Sequence, residues 1–123
     1  MILYSVIESP THPNFSALYR RLGLQERKLA SSRKTMSQLK KQPPDYLVAE
    51  FFYGYSNNYA GVNISNLDVT LYSLQKYAPD ARLIVMVSRD EREHVDKLRH
   101  IFPIHAVLQH PVSEADMQAV LGD

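Results

Sequence analysis

Pro44-Asp45-Tyr46-Leu47-Val48-Ala49-Glu50 is the stretch that decides the fold. Pro43 and Pro44 stop any helix arriving from upstream, because a proline ring supplies no N–H and clashes with the preceding turn. The apolar run that follows is too short for a helix and is bounded like a strand, and its lack of alternation marks a strand covered on both faces. It ends on a carboxylate, Glu50. Working outward, residues 2–7 form a similar run that gives way to Glu8-Ser9. Residues 82–87 form another that gives way to Ser88, and residues 104–108 are followed by Gln109-His110-Pro111. Open α/β sheets place their sites at such polar strand ends.

Between these strands the spacing turns helical. After the stiff Pro10-Thr11-His12-Pro13 loop, Asn14 is placed to cap a helix over 15–22, with Gly23 to end it. A short strand is expected at 27–31, then a helix at 33–41 capped by Ser32. Leu67, Leu71, Leu74 and Tyr77 mark a helix over 67–77, with Ser65 or Asn66 as its cap. Residues 90–102 carry acids early, bases late and a buried stripe of Val95, Leu98 and Phe102. Ser113-Glu114-Ala115-Asp116 opens a last helix with a variant capping box. Five β-α units with right-handed crossovers predict a three-layer α/β/α sandwich. Its sheet is expected to be five-stranded and parallel, in the flavodoxin-like order 2-1-3-4-5. The switch point then lies between strands one and three and brings Glu8, Ser9 and Glu50 to one crevice.

The 123 residues fit one domain spanning 1–123, and 45% hydrophobic content is enough for a real core. The absence of cysteine excludes disulfides and thiolate chemistry and is compatible with a cytoplasmic location. The N-terminal apolar run is short and lacks a basic lead, so it reads as a strand and not a signal peptide. No stretch is long enough to cross a membrane. The net charge of +1 exerts no general pull on nucleic acid, but the charge is uneven. Residues 1–50 hold eight Lys/Arg against four acids, while the rest hold six against nine. The basic half reads as a solvated helical face, with a patch for an acidic partner or nucleic acid as the sharper alternative.

With this framework the chain resembles, over essentially its whole length, the receiver domain of bacterial response regulators. Residues 44–50 are similar to the family's third strand, which ends in the phosphoacceptor aspartate. Glu8-Ser9 stands where the family holds magnesium with an acidic pair, Ser88 where it has its Ser/Thr switch, and His110-Pro111 where it has a Lys-Pro dipeptide. The resemblance also exposes departures. Glu50 puts the carboxylate one methylene farther out, Ser9 removes a magnesium ligand, and His110 replaces a fixed ammonium with an imidazole. Val107 stands at the aromatic switch position. The pattern implies a pseudo-receiver whose degenerate phosphorylation site is Glu8, Ser9, Glu50, Ser88 and His110. Glu50 is expected either to mimic the phosphorylated state, held by Ser88 or His110, or to serve only as a polar strand end.

The expected function is therefore a stand-alone, non-catalytic signalling module that binds a protein partner or a second copy. It needs no cofactor and no metal, and neither a membrane nor nucleic acid is expected as its partner. The resemblance places docking on the face of the fourth helix, fifth strand and fifth helix, here Arg92, Lys97 and Gln118 around Val107. Five aromatics in residues 51–59 form a second candidate surface, represented by Tyr53, Tyr55 and Tyr59. His94 and His100 read as solvated helix residues, and His105 as an outward-facing one. The competing reading is a small flavodoxin-like ligand-binding domain or enzyme that uses the crevice at Glu8, Glu50 and His110.

Overall fold

The stretch quoted above forms the middle of the sheet. In the computed structural model, which describes residues 1–53 and 65–121, β3 (Tyr46–Glu50) is buried at every position. It lies between β1 (Ile2–Val6) and β4 (Arg82–Val87), with β2 (Gln25–Leu29) and β5 (Ala106–Gln109) at the edges. All four pairings are parallel and the order is β2-β1-β3-β4-β5. The helices are α1 (Ser16–Arg21), α2 (Ser32–Lys41), α3 (Asp68–Tyr77), α4 (Arg92–Arg99) and α5 (Glu114–Leu121).

Alternation along the strands sorts the core into two layers. Tyr4, Leu47, Ala49 and Val85 pack with Leu71, Leu74, Val95 and Leu98 of α3 and α4. Leu3, Val48, Ile84 and Met86 pack with Leu18 and Tyr19 of α1 and Met117 and Leu121 of α5. This is the three-layer flavodoxin-like sandwich expected. Truncating a residue such as Leu47, fully buried in the first layer, removes both transfer energy and packing at a cost of about 3 kcal/mol. The Tyr4 hydroxyl also donates to the carbonyls of Gln38 and Gln42, tying the end of α2 to β1.

Several ends follow local chemistry. Gly23 adopts φ +77° after α1, Leu24 N donates to Tyr19 O at 2.9 Å and Gly23 N to Arg20 O at 3.1 Å. These are the two bonds of a Schellman stop. The variant capping box closes reciprocally: Asp116 N donates to Ser113 Oγ at 3.0 Å and Ser113 N to Asp116 Oδ2 at 3.3 Å.

Other boundaries differ from expectation. β2 begins two residues earlier than predicted because the Schellman stop delivers the chain straight to the sheet, where Gln25 N donates to Met1 O at 2.8 Å. Ser31 is not strand but the N-cap of α2, accepting from Lys34 N at 3.1 Å, a role the sequence reading assigned to Ser32. The predicted helix over 90–102 is divided. A 3-10 turn, Arg89–Glu91, precedes α4, which ends at Arg99, although Phe102 is still buried. The turn tightens because Glu91 N donates to Ser88 O. β5 is displaced to Ala106–Gln109 and only half-buried, not covered on both faces, because it is an edge strand. His105, just before it, is exposed and its Nε2 lies 3.0 Å from Val120 O.

Candidate functional site

The parallel register brings the C-terminal ends of β1, β3 and β4 to one crevice, with Glu50 opposite Met86. A carboxylate at the end of a central strand is desolvated unless the neighbouring loops leave it open. Here they close over it: Glu50 is 1% exposed.

The loop after β1 supplies the cover. Thr11 N donates to Ser9 Oγ at 3.1 Å and His12 N to Ser9 O at 3.2 Å, so the chain turns back above the sheet. The two hydroxyls then reach Glu50. Thr11 Oγ1 donates to Oε2 at 2.5 Å and Ser9 Oγ to Oε1 at 3.2 Å. From the β5 side, His110 Nε2 lies 3.3 Å from Oε2. His12 Nδ1 lies 3.8 Å from Oε1, buried and without a hydrogen-bond partner. Burial pushes the His12 pKa down, and nearby His110 adds to this, although Glu50, Glu26 and a backbone bond to Val6 pull the other way. His12 is therefore a neutral imidazole at pH 7, packed against Glu50 without forming an ion pair.

Asn66 links the next layer. Its Nδ2 donates to Glu50 O at 2.9 Å and to Glu8 Oε1 at 3.0 Å, and its Oδ1 accepts from Phe52 N at 2.7 Å. The Glu8 carboxyl has a raised pKa, chiefly from burial and further from Glu50, against the lowering effect of the Asn66 bond. Neither Asn66 nor Ser65 is the N-cap of α3: that position is Leu67, without a side-chain cap bond, and just ahead of it Ser65 N and Oγ both donate to Asp68 Oδ1 while Leu67 N donates to Ser65 Oγ.

The structure thus joins Ser9, Glu50 and His110 directly and Glu8 through Asn66. Ser88 is exposed, and among the described residues it makes no hydrogen bond to Glu50. It lines an apolar cleft of about 550 Å³ with Thr11, Phe52, His110, Pro111 and Val112. Sequence reasoning missed Thr11, His12 and Asn66 as partners of the site. The available signal was the stiff, hydroxyl-bearing loop directly after β1. Among the described residues, no group of three or more His, Asp or Glu could hold a metal ion.

The other candidate residues are scattered. Arg92 and Val107 line one cleft on the α4–β5 face, and Gln118 is exposed on α5. Lys97 instead turns to Tyr53, its Nζ 5.0 Å from the ring centroid. Tyr53 also stacks on His94 at 3.6 Å, so His94 is a ring partner and not simply solvated. Tyr53 N donates to Glu91 Oε1 at 3.1 Å. Tyr55 and Tyr59 lie outside the described residues.

No family model matches the sequence, and no curated protein matches it. Solved structures do match. The receiver domain of NtrX from Brucella abortus aligns with a TM-score of 0.73 at 13% identity, over 99% of this chain and 95% of that one. A response regulator receiver domain protein from Clostridium thermocellum aligns at 0.71 and 16% identity, over 98% and 90%. The receiver domain of a sensor histidine kinase from Pseudomonas aeruginosa, which has magnesium coordinated in its active-site cleft, aligns at 0.68 and 14%, over 98% and 93%. At these identities the likeness is one of fold: the chain has the receiver architecture. Among the described residues no helix is long and apolar enough to cross a membrane.

Proposed function

We propose that this chain is a non-catalytic regulatory module on a receiver scaffold, a pseudo-receiver that works by binding other proteins. The observation that carries this is the state of Glu50. A phosphoacceptor must present a free carboxylate oxygen to phosphorus beside a metal that offsets the charge. Here Oε2 accepts from Thr11 and faces His110, while Oε1 accepts from Ser9 and packs against His12. Glu8, the remaining acid of the crevice, is held by Asn66. Glu50 then serves as a fixed internal charge that pins the β1, β3 and β5 ends in one arrangement.

The test is an amide NMR titration with magnesium, then with magnesium and beryllofluoride. The expected outcome is no saturable shift at Glu8, Glu50, Ser88 or His110. Saturable shifts centred on those residues defeat the proposal and indicate a working ion or phosphoryl site. The cleft beside Ser88 and His110 favours a second reading, because its volume falls in the range of small-molecule sites. In that case an apolar ligand would shift Phe52, Ser88 and Val112 with Glu50 unmoved, and a fragment screen on the same spectra separates the two.

A further inference from the structure

We infer that the groove between α2 and α3 is a docking surface for an acidic peptide segment of a partner protein. The segment it fits carries two carboxylates about three residues apart with an apolar side chain between them.

The groove is built by helix periodicity. Arg33, Met36 and Lys40 lie at spacings of three and four and share one face of α2, while Tyr72, Lys76 and Tyr77 face them from α3. Together they border a cleft of about 450 Å³. Its three cations are matched by no acid in the lining. None of the three makes an ion pair among the described residues. Lys40 and Lys76 instead converge on a single ring, with their Nζ atoms 5.9 and 5.3 Å from the Tyr77 centroid. Two ammonium groups gathered at one ring, with no acid in the lining, concentrate positive charge that a carboxylate can offset. Tyr72 is 62% exposed, a large apolar surface left open beside the charges.

Charge and dimensions together select the occupant. Arg33 and Lys40 are seven residues apart on a helix, about 10 Å along its axis. An extended peptide advances about 3.3 Å per residue, so carboxylates three residues apart match that span. Met36 and Tyr72 then meet the side chain between them. Nucleic acid fits less well, because the middle of the cleft is apolar and the chain's net charge of +1 supplies no general attraction for a polyanion. The surface lies apart from the Glu50 crevice, so the inference stands or falls independently of the phosphorylation reading.

The probe is the capped peptide Gly-Glu-Ala-Leu-Glu-Gly, titrated into the full chain and followed by amide NMR. Saturable shifts confined to α2 and α3 are expected. They should weaken about tenfold in Lys40→Glu/Lys76→Glu and several-fold in Tyr72→Ala. All three substituted positions are exposed, so these variants should fold, and unchanged far-UV circular dichroism checks this. A peptide with lysines in place of the glutamates should not bind. Absence of α2–α3 shifts overturns the inference, as does equal binding by the charge-reversed variant. Tighter binding of an oligothymidine than of the peptide assigns the surface to nucleic acid and overturns it as well. Concentration-dependent dimerisation abolished by Lys40→Glu/Lys76→Glu overturns it in favour of a second copy.

Discussion

The Glu50 crevice and the α2–α3 groove both concentrate polar groups, but they satisfy them in opposite ways. In the crevice the charge is buried and its partners are internal: Ser9, Thr11 and His110 surround the carboxylate, and Asn66 fastens the backbone beneath it. In the groove the charges are exposed and have no acidic partners in the lining. Desolvation makes a buried charge costly unless its environment completes it, so internal completion belongs to the stability of the fold. Exposed like charges cost little on their own and gain mainly when a partner arrives. The contrast assigns architecture to the crevice and recognition to the groove.

The comparison breaks first if Glu50 is dispensable. Glu50→Ala leaves the Ser9 and Thr11 hydroxyls and the His110 imidazole facing a cavity and should lower stability by about 3 kcal/mol in urea denaturation. A variant as stable as the parent would mean that the carboxylate is retained for something other than structure. Thr11→Val keeps the shape and removes one charge-assisted bond, with an expected loss of about 2 kcal/mol. A much smaller loss would shift the weight to His110.

The pH dependence sharpens the same side of the comparison. The folded His12 pKa is pushed below its usual 6.5, so the unfolded chain binds more protons there. The stability this group supports is complete above 6.5 and is lost as pH falls through the folded value. Glu8 acts in the opposite sense: its raised pKa favours the folded state in acid, and that contribution is lost as pH rises above 4.5 through the folded value. Urea midpoints measured between about pH 7.5 and about pH 5 should fall on acidification in the parent and fall less in His12→Gln. Identical slopes would remove His12 from the crevice's energetics. The smallest effect belongs to the groove. Lys40→Glu should change stability by no more than about 0.5 kcal/mol, since the position is exposed and makes no ion pair among the described residues. A large loss there would make the groove structural and erase the contrast.

The sequence by itself determined the fold class and the bounds of its two central strands. β3 and β4 are continuous apolar runs stopped by proline or polar residues, and such runs have one good solution, the middle of a covered parallel sheet. The capping box of α5 and the glycine stop of α1 were legible because caps depend on neighbours three to five residues away. The edge strands were misplaced because their limits depend on pairing with distant residues: Gln25 on Met1, His105 on Leu83. For the site, polar strand ends pointed to Ser9, Glu50 and His110, which the structure brings side by side. Only the tertiary structure decided that Thr11 and His12 fold over Glu50, that Asn66 serves the crevice and not the helix, and that Ser88 lines an adjoining apolar cleft beyond Thr11 and His110. The physical reason is range. A buried carboxylate takes whatever donors the closed chain brings within hydrogen-bond reach, and those came from a loop 39 and 41 positions away, a separation that no local pattern encodes.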